Sequence, residues 1–260
     1  MQEPRQPVKL QSVIDPFVVK CGGELVSDLV GARNLPRNAD YLFREYGVIA
    51  ELKSLESNDF AGLVQRKFGA LLGKWHRQRR FMVYGTVNLS TKQLPPDCRK
   101  ELFDELAESL QKHVVLQANN QIKSTKSLLR LPEAKGLLWV ASDNSAGMDP
   151  DVVWYLLRRI LQKRKPTGEL AYSSLHGLAY FNPRVPAKYV GGPEPLMFWF
   201  SGPRQTEDAQ MTSCLLRLHE AWLPYLASST GIRIRRVEAR PEQVRFSDDK
   251  TSLTVGGKYD

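Results

Sequence analysis

The sequence predicts an α/β protein, and three observations lead there. Segments whose apolar residues recur at 3.6-residue spacing alternate along the chain with short extended runs. Residues 136–142 (GLLWVAS) form a continuous apolar run, as expected of a strand buried on both faces. The composition, 42% hydrophobic and 25% charged over 260 residues, is that of a globular chain long enough to bury a sizeable core.

Taken in order, residues 1–21 read as an irregular lead-in closing on Phe17-Val18-Val19. Gly22-Gly23 then opens a short helix over 24–30, stopped by Gly31 and Asn34-Leu35-Pro36. Extended runs at 39–44 and 48–55, joined by Glu45-Tyr46-Gly47, read as a β-hairpin. Phe60, Leu63, Val64, Phe68, Leu71, Leu72 and Trp75 mark a helix over 59–80. A strand is expected in 81–89, and nothing breaks a long helix from 97 to 129. After the 136–142 strand, Asp149-Pro150 starts another helix, with aspartate at the cap and proline in the first turn. Further strands are expected at 174–181, 196–201 and 232–239, with a helix over 207–226 and a poorly ordered tail over 246–260.

No apolar run approaches the roughly 20 residues that span a bilayer, and the first residues lack a secretion signal's apolar stretch. Cys21, Cys98 and Cys214 lie far apart with no CxxC or Cys/His pairing. This favours free thiols in a reducing, cytoplasmic setting over a structural zinc site. The formal charge of +9 favours a polyanionic partner without identifying one. Neither a phosphate-cradling glycine loop nor a GxSxG elbow is present.

Chemistry-bearing residues concentrate in the hairpin. Side chains alternate across a strand, so Glu51 and Lys53 share one face while Ala50 and Leu52 take the other. Asp40 opens the neighbouring strand, close enough to bring its carboxylate beside Glu51. Two such carboxylates suit one hard cation, Mg²⁺ or Mn²⁺, with water and phosphate oxygens completing its shell. An adjacent lysine can orient water or stabilise charge on a phosphate. A surface Glu–Lys pair on an edge strand is the plain alternative.

Asp40, ten intervening residues, then Glu51-Leu52-Lys53 resembles the motif of the PD-(D/E)XK, or restriction-endonuclease-like, superfamily. The resemblance implies an αβββαβ core with a mixed central sheet flanked by helices. Here that core spans 22–142, with an insertion at about 56–96 and a C-terminal α/β extension over 143–245. Only two strands are legible ahead of the long helix, the first core strand being short or missed. The resemblance further implies that Asp40 and Glu51 are metal ligands and that Lys53 is catalytic. Some members add an acid from the first helix and a Gln or Lys from the later one, roles that Glu24 and Gln121 would fill.

Around this motif, Arg66, Lys67, Lys74, Arg77, Arg79 and Arg80, interleaved with Phe68 and Trp75, are the candidate nucleic-acid footprint. A solvated helix face explains them equally well. The sequence-level expectation is a cytoplasmic metal-dependent nuclease acting on nucleic acid, DNA more than RNA because the resembled superfamily mostly cuts DNA. Cutting both strands of a duplex would call for two active sites, which a homodimer supplies. A non-catalytic nucleic-acid-binding protein retaining the fold and an α/β enzyme of a small phosphorylated substrate stay open as alternatives.

Overall fold

The computed structural model describes residues 10–30, 38–55, 60–82, 88–89, 91–141, 150–189, 192–205, 207–230, 244–246 and 253–254. Its centre is a mixed, open sheet of β1 (Glu24–Leu25), β2 (Tyr41–Phe43), β3 (Val48–Ser54), β5 (Lys135–Ala141), β6 (Gly177–Tyr189) and β7 (Gly192–Pro203), in that order, with β8 (Val244–Phe246) against β6. β1, β2 and β3 pair antiparallel, β3–β5 and β5–β6 pair parallel, and β6–β7 form an antiparallel hairpin. A separate two-stranded ladder joins β4 (Asn88–Leu89) to β9 (Leu253–Thr254).

Strand alternation assigns each sheet face its own core. Leu42, Ile49, Leu138 and Val140 pack with α3 (Phe60–Arg77), α4 (Pro96–Leu110), α5 (Leu116–Leu128) and α6 (Pro150–Leu161). Tyr41, Val48, Ala50, Leu137 and Trp139 pack on the other face with α1 (Gln11–Lys20) and α7 (Ala209–Thr230). The run through β5 is therefore covered on both sides, as its unbroken hydrophobicity predicts. The expected long helix is α4 and α5 joined by one π-helical segment, Gln111–Val115.

The structure corrects the N-terminal reading. The lead-in contains α1, whose Ile14, Phe17 and Val18 are fully buried. Pro16 lies inside it and removes one helical hydrogen bond, a cost of up to about 3 kcal/mol. Three buried side chains at roughly 1.5–3 kcal/mol each outweigh that. Gly22-Gly23 ends this helix instead of opening the next. Gly22, at φ +79°, and Gly23 donate to Val19 O and Val18 O, the paired bonds of a left-handed C-terminal cap.

Glu24–Leu25 then forms β1, and only Val26–Val30 is helical (α2). The hairpin is present, with a 3₁₀ turn at Arg44–Tyr46 and Gly47 left-handed at φ +57°. The tail expected without structure after 246 contributes β9. Of the strand expected within 81–89, the described residues show β4 at Asn88–Leu89, and residues 83–87 lie outside the described set. The strand expected at 232–239 and the Asp149 cap also lie outside it. Residues 150–203 add strands to the sheet that carries the hairpin. Among the described residues no helix is long and apolar enough to cross a membrane.

Candidate active site

β2 and β3 pair Tyr41 with Ala50, Leu42 with Ile49 and Phe43 with Val48, after which the ladder would continue through Asp40. Asp40 N–H donates to Ala50 O at 3.2 Å, and the Asp40 Oδ2 accepts the Leu52 N–H at 2.8 Å. A side-chain oxygen thus satisfies the strand amide that β2 no longer reaches. This pins the Asp40 carboxylate to the edge of β3, beside Glu51.

Glu51 stands in mid-strand just past the last β2 pair, where it pairs with Leu138 of β5, and only 2% of it is exposed. Lys53, two residues on and 9% exposed, holds its ammonium 2.8 Å from Glu51 Oε1. The same ammonium donates to Gln121 Oε1 on α5 at 2.7 Å. Gln121 Nε2 in turn donates to Asn38 O at 3.1 Å. Four sequence-predicted residues (Asp40, Glu51, Lys53 and Gln121) therefore converge. Gln121 bridges the lysine and the segment that carries Asp40.

The electrostatics of this cluster are unbalanced. Burial, then the neighbouring Asp40 charge, raises Glu51 from 4.5 to about 8 despite Lys53. Burial also raises Asp40, against the lowering pull of the Leu52 amide and Lys53. Near neutral pH the two carboxylates cannot both be comfortably ionised. With both acids ionised, Glu51 Oε2 is moreover buried without a donor, which costs free energy; a proton on Glu51 relieves this by bonding the acid to Asp40, raising Glu51 further and lowering Asp40. The acceptor-only oxygens and the orphaned buried oxygen fit a hard dication, which would turn the carboxylate repulsion into attraction. Among the described residues no group of three or more His, Cys, Asp and Glu side chains gathers at one point. Further coordination would have to come from water or substrate, the arrangement Mg²⁺ tolerates well.

Glu24 does not join the cluster. It sits on β1, and its carboxylate accepts from Arg44 Nε at 2.8 Å and Nη2 at 3.1 Å, which lowers its pKa. The first helix does bring an acid nearby, from α1. Asp15 Oδ1 accepts the Tyr41 hydroxyl at 2.8 Å, and its charge reaches Asp40. Asp15 itself stays with the Tyr41 hydroxyl, on the α1 side of the sheet.

The basic stretch on α3 is largely engaged within the fold. Lys67 pairs with Glu105 at 2.8 Å, Lys74 with Glu101, and Arg80 with Asp97 at 2.7 Å and Glu101 at 2.9 Å, all on α4. Glu101, which also accepts from the Trp75 indole, falls to about 2, with Lys74 the largest cause. Phe68 and Trp75 are buried in the core, so neither is available to stack on bases. Arg66, Arg77 and Arg79 are exposed. Two arginines of α6 are engaged as well: Arg158 lies 5.7 Å from the Trp154 ring centre, and Arg159 meets Asp104 of α4 at 3.3 Å. His176 accepts the Gly136 N–H at 3.0 Å and is lowered to about 4, chiefly by burial, as befits a packed histidine. All three cysteines are free and buried.

No protein-family model, no curated protein and no solved structure matches this chain.

Proposed function

We propose that this protein is a divalent-cation-dependent nuclease, hydrolysing phosphodiester bonds of nucleic acid, DNA more than RNA, at Asp40, Glu51 and Lys53. One observation carries the reading: the Asp40 and Glu51 carboxylates meet in a buried place where, both ionised, one oxygen has no donor, and a lysine shares their strand face. The element order supports it as well. One helix (α1), three strands (β1 to β3), the long α4–α5 helix and β5 follow in the αβββαβ order of the PD-(D/E)XK superfamily, with α2 and the α3–β4 segment inserted.

On this reading Asp40 and Glu51 would hold Mg²⁺ or Mn²⁺. Such a cation supplies Lewis-acid polarisation of a phosphate oxygen and favours hydroxide formation from water. Asp40, anchored by the Leu52 amide at 2.8 Å, would offer that site a ligand oxygen in a fixed place. Lys53, held by Glu51 and Gln121 with its rotamer restricted, offers donors to the attacking water or to charge growing on the phosphate. Gln121 keeps that ammonium from swinging to solvent. Burial on β3 excludes bulk water and strengthens each of these interactions.

The test is incubation of linear, nicked and single-stranded DNA, and of RNA, with wild type and Asp40→Asn protein, in EDTA, Mg²⁺ or Mn²⁺. Cleavage that needs the metal and disappears in the folded variant supports the reading. A folded wild type inert on every substrate overturns it.

A further inference from the structure

The Asp40 carboxylate is useful only if the chain leading into it is fixed, and residues 38–40 are held from three sides, the first being Val26, whose N–H donates to Asp40 O at 2.9 Å. From β3, Ala50 O accepts the Asp40 N–H at 3.2 Å. From α5, Gln121 Nε2 donates to Asn38 O at 3.1 Å, and Thr125 Oγ1 accepts the Ala39 N–H at 2.8 Å. Thr125 is fully buried and lies one helical turn from Gln121 on the same face of α5. Its hydroxyl donates in turn to Gln121 O at 2.9 Å. Both functions of that hydroxyl are thereby committed, and its direction is set by the helix.

We infer that Thr125 is a positioning residue for the Asp40 carboxylate: its hydroxyl locks the Ala39 amide and so places the acid at the edge of β3. A buried threonine in a helix facing a sheet needs only its methyl group for packing. This one commits its hydroxyl to the backbone of the residue directly before the acid. Ala39 is 3% exposed, so without the hydroxyl its N–H would be left buried and unpaired. The segment would then shift to recover a partner, carrying Asp40 with it. α5 therefore controls the site twice, once through Gln121 on Lys53 and once through Thr125 on Asp40. The clamp exists with or without a cation, and its functional meaning rests on the metal reading above.

Two readouts separate these. The Leu52 amide, bonded to Asp40 Oδ2, reports where the carboxylate is with no metal present. Its hydrogen exchange would be followed by NMR in wild type, Thr125→Val and Thr125→Ser, with Leu138 and Val140 as internal controls. Mn²⁺ affinity would be measured on the same samples. Thr125→Val keeps the shape and removes the hydroxyl, so Leu52 exchange should rise at least about tenfold while the β5 controls hold. Mn²⁺ affinity should fall about 10- to 100-fold, the usual effect of losing an outer partner of a ligand. Thr125→Ser restores the hydroxyl and should restore both.

A folded Thr125→Val protein with wild-type Leu52 exchange overturns the clamp. So does a serine variant as impaired as the valine one, since the methyl group would then be what matters. If Thr125→Val does not fold, Thr125→Ala replaces it under the same criteria. A wild type that takes up no Mn²⁺ overturns the metal reading instead, and Leu52 exchange still decides the clamp.

Discussion

Replacing Glu51 by glutamine should stabilise the metal-free protein while removing its capacity to bind a cation. The side chain keeps its shape, and the new amide gives the Asp40 carboxylate a donor in place of the proton that the acid pair shares. Glu51 is raised from 4.5 to about 8, chiefly by burial and secondarily by Asp40. A native pKa above the unfolded one means that the folded chain keeps a proton the unfolded chain releases. The resulting stability is present in full below 4.5 and is lost as pH rises through about 8. A tenfold difference in proton affinity corresponds to about 1.4 kcal/mol, so wild type should lose a few kcal/mol across that window.

Glutamine cannot ionise, so Glu51→Gln should show little of this slope and stand roughly 2–3 kcal/mol above wild type near pH 7.5. Mg²⁺ at about 100 times its dissociation constant should return roughly 2.7 kcal/mol to wild type and nothing to the variant. The assay is urea unfolding followed by circular dichroism from pH 5 to 9, in EDTA and in Mg²⁺. Equal stabilities of both proteins at every pH, with no Mg²⁺ effect on wild type, would refute the electrostatic reasoning.

Other perturbations probe the site and its surroundings. Lys53→Met should leave Mn²⁺ binding near wild type yet slow cleavage at least about 100-fold, because it removes a donor to the reacting phosphate and no ligand. Comparison of titration calorimetry with single-turnover cleavage checks it, and an equal loss in both would make Lys53 a structural counter-ion. Arg77→Glu/Arg79→Glu should weaken duplex binding and reduce the log–log salt slope by roughly 0.9 for each phosphate that is no longer neutralised, while Lys74→Gln should act mainly on stability through Glu101. Unchanged slopes in the double variant would place the footprint away from the end of α3.

The sequence revealed elements whose signal is local and missed those fixed by contacts across the fold. The β2–β3 hairpin shows in the alternation around Glu51 and Lys53, and β5 in its unbroken apolar run. The continuous helical pattern of 97–129 likewise marks α4 and α5. α1 was hidden by Pro16, whose local cost is outweighed by Phe17 packing 4.9 Å from Trp222 and 6.0 Å from Trp139, both distant in sequence. β1 has two residues, too few to show a period. Gly22-Gly23 reads as a helix start but ends a helix, so Glu24, expected on the first helix beside the metal, is a strand residue paired with Arg44. The α3 cations resembled a binding face because their partners, Asp97, Glu101 and Glu105, sit on another helix. Thr125 carries no local signal, since a threonine in a helix is ordinary until its hydroxyl is seen on Ala39.

Whether Asp40 and Glu51 together hold a divalent cation is tested most directly by Mn²⁺ anomalous scattering from crystals of the wild-type protein. One strong anomalous peak is expected between the two carboxylates, about 2.0–2.2 Å from an oxygen of each, and it should vanish in Glu51→Gln crystals. A map without density at that position, or a peak that persists in Glu51→Gln, would contradict a shared cation at this pair.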